Sequence, residues 1–303
     1  MVEITLSNLS PSPDDDRDFI YSPKGDVPSN VQWRSLVGDI EDQLTVGSCT
    51  ANSVVSACEL ILAANQKSRH LSRLFNYYTT RQLENRLGQE GAVLRNAVRQ
   101  ATKLGIPNED VWDYSFFHVE AAPPVAVYVE ADLHKISRYE RIVGETAKDK
   151  IHAIKSALSE GFPVVFGMPV SQQWMQMQGG DTSYRGTKND AVVGNHAMCI
   201  IGYSSSHFIV ENSWGVEWGD KGLGYVPCEL VDEFFEAWVI KGFDGLYPVA
   251  FIPPAPTPPV VPPTPLPEPS KPSVKPSDNG IVVVAITFIA FTIYALLKSK
   301  GII

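Results

Sequence analysis

Residues 38–65 read GDIEDQLTVGSCTANSVVSACELILAAN, and their periodicity changes in the middle. Up to Ser48 the stretch is irregular and polar. From Cys49 onward Ala51, Val54, Val55, Cys58, Ile61 and Leu62 recur at helical spacing and give one apolar face. The pattern predicts a helix that begins at Cys49. At a helix N-terminus the unsatisfied N–H groups and the dipole favour a thiolate, the form of cysteine that attacks carbonyls. Gln43, six residues earlier in the leading loop, carries an amide that can donate to an oxyanion, as can the backbone N–H of Cys49. A lone cysteine is more often a small buried hydrophobe, so Cys49 acquires meaning only with partners.

The partners come from residues 190–228, DAVVGNHAMCIIGYSSSHFIVENSWGVEWGDKGLGYVPC. Val192 and Val193, then Ala197 to Tyr203, and Phe208 to Val210 read as strands separated by a Ser-rich turn. His196 therefore sits on a strand, and Asn212 follows the next strand 16 residues later. Antiparallel pairing of those strands would bring the two side chains together. Taken singly, a strand histidine is usually structural and an Asn-Ser pair is usually a turn. Together with Cys49 they supply what nucleophilic catalysis needs: a thiol, a base, and a third group that holds the imidazole tautomer.

These blocks resemble the papain family of cysteine peptidases over residues 31–249. His196 lies 147 residues after Cys49, and Asn212, Ser213, Trp214, Gly215, Trp218 and Gly219 match the family's stretch around its asparagine. Val31, Gln32, Trp33 and Arg34 are similar to the start of the family's mature domain. The resemblance implies an α+β fold of two lobes, a helical left lobe and an antiparallel β-barrel-like right lobe, with the active site in the cleft between them. It implies Cys49 as nucleophile, His196 as base and then acid, Asn212 as orienter and Gln43 as oxyanion-hole donor. Trp214 would shield the His196 to Asn212 hydrogen bond. On the substrate side it implies Gly91, within residues 89–92 ahead of the helical stretch 93–105, together with Trp214 and Asn195. Pocket walls are expected around residues 164–170 and 192–195. Two positions depart from the family: Thr50 replaces the aromatic after the nucleophile, and Val46 replaces a half-cystine.

Composition narrows the alternatives. A net charge of −9 and no cluster of Lys and Arg argue against nucleic acid as a partner. Cys49, Cys58, Cys199 and Cys228 are too widely spread for a disulfide framework or a zinc site, and the carboxylates show no spacing that demands a metal, so no cofactor is expected. Residues 1–30, with Asp14, Asp15 and Asp16 between prolines and serines, read as an extended arm without the features of a secretory signal, and too short for the family's inhibitory pro-region.

Residues 253–276 contain 12 prolines, a composition that favours a polyproline II spacer of roughly 70 Å. The tract reads first as a spacer and second as a ligand for domains that recognise Pro-rich motifs. Residues 281–297, IVVVAITFIAFTIYALL, carry no charge and read as a single membrane span, followed by a short tail at 298–303. The expected organisation is an arm (1–30), a peptidase domain (31–250), a linker (251–280) and a lipid-bilayer anchor, with the domain in a reducing, cytosolic compartment. Rival readings are a Cys-His-Asn acyltransferase and a tethered scaffold with an inactive site.

Overall fold

The computed structural model describes residues 9–188 and 190–247. The chain divides into two compact units, Met1–Pro254 and Ala255–Ile303, and all described residues belong to the first. The apolar stretch 281–297 and the proline tract lie outside the described residues; among those described, no helix is long and apolar enough to cross a membrane.

Helices come early in the chain and strands late. A two-residue strand, β1 (Val31–Gln32), precedes α1 (Cys49–Ala64), α2 (Arg73–Leu83), α3 (Leu94–Lys103) and α4 (Val125–Ala131). Then follow β2 (Tyr139–Arg141), α5 (Ala147–Ser159), β3 (Val164–Ser171), α6 (Gln172–Met175), β4 (Val192–Tyr203), β5 (His207–Glu211), β6 (Leu223–Pro227) and β7 (Glu236–Ile240). The strands form one antiparallel sheet in the order β2-β7-β3-β4-β5-β6, with β1 on β4. The barrel-like half expected from the resemblance is thus a strongly connected sheet, and no described pairing joins β6 back to β2.

β4 organises the sheet. It pairs with β3 from Val192 to Ile200, with β5 from Cys199 to Tyr203, and with β1 at Gly202 and Tyr203, so β1 takes over the edge that β3 leaves. That handover depends on Gly202, where an added Cβ would lie 2.4 Å from the Val31 carbonyl oxygen. β4 is one continuous strand, longer than its sequence suggested, because Gly194 and Asn195 keep pairing with Val170 and Pro169 of β3.

α1 starts at Cys49, as its periodicity predicts, but is buried on nearly all sides. Val54, Val55, Cys58, Ile61 and Leu62 are at most 1% exposed, and the polar Thr50, Asn52 and Ser53 are buried too. The reason is position: α1 packs on β4 on one side and on α2 and α3 on others. Two of these polar side chains bond within the segment, Asn52 Nδ2 donating to Ser48 O at 3.0 Å and Ser53 Oγ to Thr50 O at 2.9 Å. The larger hydrophobic cluster runs from α1 and α3 into the sheet; a smaller one gathers Val46, Ala51, Phe75, Tyr77, Ala92, Trp112 and Val127 among the helices. Val46 thereby fills with apolar contact the place where the family's half-cystine would stand, and none of the four cysteines is in a disulfide.

The described part of the arm is not loose. Leu9 and Tyr21 are each 3% exposed, and residues 19–21 run along β2, with Tyr21 N donating to Arg141 O at 2.9 Å and Arg141 N to Phe19 O at 2.7 Å.

Candidate active site

His196 lies on β4 and Asn212 immediately follows β5. The strands pair with Cys199 opposite Glu211; one further step places Asn212 beside Met198, and His196 two residues along on the same face. The result is a hydrogen bond of 2.7 Å between His196 Nε2 and Asn212 Oδ1. Asn212 Oδ1 also accepts from the Ser213 backbone N–H at 2.8 Å. Two hydrogen bonds to the same atom identify it as the oxygen, so Nε2 must be the donor and the neutral ring carries its lone pair on Nδ1. Nδ1 is buried and makes no hydrogen bond among the described residues.

The ring is fully buried, and burial pushes its pKa down to about 4, against the opposing pull of the Asn212 hydrogen bond. Trp214 lies over it as a stacked neighbour, centroids 4.4 Å apart at 25°. Trp218 meets Trp214 edge-on and ties itself to Trp174 O through Nε1 at 3.1 Å. These indoles form a lid that keeps water from the imidazole–amide hydrogen bond, where low polarity strengthens it.

Cys49 enters from the helical side. As the first residue of α1, the helix that packs on His196's strand, it is completely buried. The first N–H groups of any α-helix have no intrahelical acceptor and offer an anion site. The loop before Cys49 is stitched to the segment after Asn212: Gln43 N donates to Ser213 O at 2.8 Å, Ser213 Oγ to Gln43 Oε1 at 2.7 Å, and Gly215 N to Glu41 O at 2.9 Å. The Val46 carbonyl can only accept, so its 3.0 Å contact fixes the Gln43 amide nitrogen, uses one of the two amide hydrogens and makes Oε1 the acceptor of the Ser213 hydroxyl.

The other named positions are placed as follows. Gly91 has φ +79° and donates its N–H to Tyr77 Oη at 3.1 Å, so its positive φ is built into the turn. Asn195 donates from Nδ2 to Leu9 O at 3.0 Å; a substrate contact at Asn195 requires the arm to give way there. Thr50 is buried with its hydroxyl making no hydrogen bond among the described residues. Among the described residues no group of three His, Cys, Asp or Glu side chains could hold a metal ion.

Sequence reasoning passed over three residues. Ser213 was quoted only as part of a motif, yet it holds Gln43. Tyr114 donates to Gln43 O at 3.0 Å, so Ser48 Oγ must be the donor in its 2.7 Å contact with the same phenol oxygen. Tyr77 holds Gly91, and burial raises its pKa to about 12. Only Ser213 had a signal, adjacency to Asn212; the tyrosines reach the site from distant helical or loop segments.

The profile of the papain family cysteine proteases matches residues 27–229. An uncharacterized peptidase C1-like protein of Acanthamoeba polyphaga mimivirus is 36% identical over 216 residues, 66% of this chain and 68% of that protein. Cathepsin K of Gallus gallus is 29% identical over 65% of this chain and 58% of its own length, so the match spans less than two thirds of that relative. Among solved structures, xylellain, a cysteine protease from Xylella fastidiosa, superposes with a TM-score of 0.68 at 29% identity, covering 78% of this chain and 96% of that one. The bromelain protease of Ananas comosus shares the fold at 18% identity, with a TM-score of 0.55 over 74% of this chain and 100% of its own. A matched profile over two thirds of the chain and a shared fold lead to one statement: the chain belongs to the papain family of cysteine proteases.

Proposed function

We propose that this protein is an active endopeptidase that cleaves peptide bonds through a thioester on Cys49. The observation that carries the reading is the 2.7 Å hydrogen bond from His196 Nε2 to Asn212 Oδ1, because it leaves Nδ1 as the basic nitrogen of the neutral ring. Transfer of the Cys49 proton to Nδ1 creates thiolate and imidazolium together, so neither charge is buried alone. The thiolate attacks the peptide carbonyl carbon, and the carbonyl electrons move onto oxygen. The Cys49 N–H and the remaining Gln43 amide hydrogen donate to that oxyanion. His196 gives its Nδ1 proton to the departing amine as the C–N bond breaks. It then takes a proton from water, which attacks the thioester and releases the acid and the thiol. Asn212 holds the ring throughout.

Cys49→Ala is expected to abolish cleavage of a fluorogenic peptide and labelling by an epoxide inhibitor, with the far-UV spectrum unchanged. Cleavage at the parent rate would sink the assignment. An acyltransferase differs in its product, an amide with added amine, and an inactive scaffold differs in taking no label.

We further propose that residues 281–297 anchor the protein in a membrane, with the catalytic unit on the reducing side. The support is 17 consecutive uncharged, largely apolar residues behind a proline-rich tract. Full-length protein should resist carbonate extraction from membranes and a chain ending at residue 280 should be released; equal extraction of both would remove the anchor.

A further inference from the structure

A cavity of about 320 Å³ lies between residues 36–39, the second half of α1, residues 67–70 and the last residue of β5. α1 lines it with Ser56, Glu59, Leu60 and Ala63, the i, i+3, i+4, i+7 spacing of one helix face. β5 contributes Glu211, 7% exposed and next in the chain to Asn212. Cys49, His196, Asn212 and Gln43 do not line this cavity, so it is separate from the catalytic cycle proposed above.

Two carboxyl groups reach the cavity without a counter-ion. Glu211 Oε1 accepts from Ser56 Oγ at 3.0 Å, and Glu59 Oε1 accepts from Leu71 N at 2.8 Å. The second oxygen of each makes no hydrogen bond among the described residues and is left to the cavity. Neighbouring cations are engaged elsewhere. Arg73 is bound by Glu41 and, at 3.0 Å, by Glu109, and His70 also pairs with Glu41. Arg69 lies 3.6 Å from Asp244 and contacts His134. Lys67 and Asp39, both exposed, complete the charged lining, and neither makes an ion pair among the described residues. Burial raises the pKa of Glu59 to about 8 and that of Glu211 to about 7, with the like charge of Glu41 adding to both.

The wall also carries Leu36, Val37, Leu60 and Ala63, whose side chains are apolar. A buried acid with an oxygen to spare is best matched by a cation, because charge out of water is tolerated only when paired. Among cations, the apolar wall favours one with a methylene stem. A metal ion fits poorly, since no group of three His, Cys, Asp or Glu side chains among the described residues could hold one. We infer that this cavity binds an alkylammonium group, with Glu59 and Glu211 accepting its N–H bonds and Val37 and Leu60 covering its stem. A free primary amine and the lysine side chain of another protein present the same group. Its three donors suit the two spare carboxylate oxygens. Once bound, the group ties α1, which carries Cys49, to the strand that leads into Asn212.

The test is calorimetric titration of the full chain with pentylamine at low salt and pH 8, with pentanol as the neutral match. Pentylamine should bind at least tenfold tighter than pentanol. At pH 6.5 its affinity should fall and binding should release protons to the buffer, because the cation displaces protons that both acids hold there. Glu59→Gln and Glu211→Gln should each weaken pentylamine about tenfold, the loss of one hydrogen bond to a charged group. Ala63→Lys separates this from a folding defect. It adds an ammonium four residues after Glu59, a favourable helical spacing, and should abolish pentylamine binding while raising Tm. A capped lysine peptide, compared with its acetyl-lysine form, distinguishes the sources. Binding that is lost on acetylation and in Glu211→Gln assigns a protein side chain, and pentylamine binding without peptide binding assigns a free amine. Equal binding of pentylamine and pentanol, or affinity that survives both Gln variants, overturns the inference. Binding that appears only in Lys67→Ala overturns it as well, by showing that Lys67 itself fills the cavity.

Discussion

Asn212 does its work through one atom. Its Oδ1 accepts from His196 Nε2 at 2.7 Å and from Ser213 N at 2.8 Å, so the backbone aims the amide and the amide aims the ring. Asn212→Ala removes the acceptor and leaves a buried N–H without a partner, which costs about 1–3 kcal/mol of stability. A ring free to rotate is also misplaced for proton transfer, and kcat should fall on the order of 10²-fold with KM little changed. Steady-state kinetics beside a denaturation curve separates the two; an unchanged kcat would show that the ring needs no orienter. Cys49, His196, Asn212 and Gln43 were all legible as residue types at telling separations. What the chain could not disclose was the supporting polar framework. That framework includes Ser213 on Gln43, Tyr114 on the Gln43 carbonyl and Tyr77 on Gly91. A tyrosine hydroxyl's destination depends on how helices and loops pack, and periodicity carries no trace of it.

At the scale of elements, α1 and β4 do most of the placing. The start of α1 was readable because polar irregularity gives way abruptly to helical spacing at Cys49. Its burial on nearly every side was not, since one apolar stripe is the signature of a helix with one neighbour and α1 has several. β4 was read as two pieces because Gly194 and Asn195 interrupt the hydrophobic run, yet backbone pairing with β3 carries straight through them. The attachment of β1 rests on Gly202, where any Cβ would meet the Val31 oxygen at 2.4 Å. Gly202→Ala should push β1 away from β4 and destabilise the protein by about 1–3 kcal/mol, as overpacking does. Urea unfolding would read this as a lower midpoint; a midpoint equal to the parent's would mean that β1 adapts without cost.

Over the whole unit, buried ionisable groups set how stability varies with pH. Burial holds Glu59 at a pKa of about 8 and Glu211 at about 7, both above the ordinary 4.5. The folded protein therefore keeps protons that the unfolded chain has released. Their contribution is complete below pH 4.5 and is lost as pH rises towards 8. His196, lowered from 6.5 to about 4, works the other way: its contribution is complete above pH 6.5 and is lost as pH falls to 4, a change of roughly 3 kcal/mol. Between pH 6.5 and 8 only the carboxylates act, so stability should decline across that window, and Glu59→Gln and Glu211→Gln should each flatten the decline. Chemical denaturation at pH 6.5 and pH 8 checks this, and equal slopes in parent and variants would refute it. The arm belongs to this scale too. Its prolines, serines and acidic run read as an extended arm, and in the structure that arm is pinned by charge: Asp14 pairs with Arg141 and both Asp15 and Asp18 with Arg95. Because Leu9 is held by Asn195, next in the chain to the base of the proposed mechanism, a purification tag or fused reporter placed upstream joins a segment that is anchored beside His196. Labelling rates measured on such a fusion would describe the cargo as well as the enzyme.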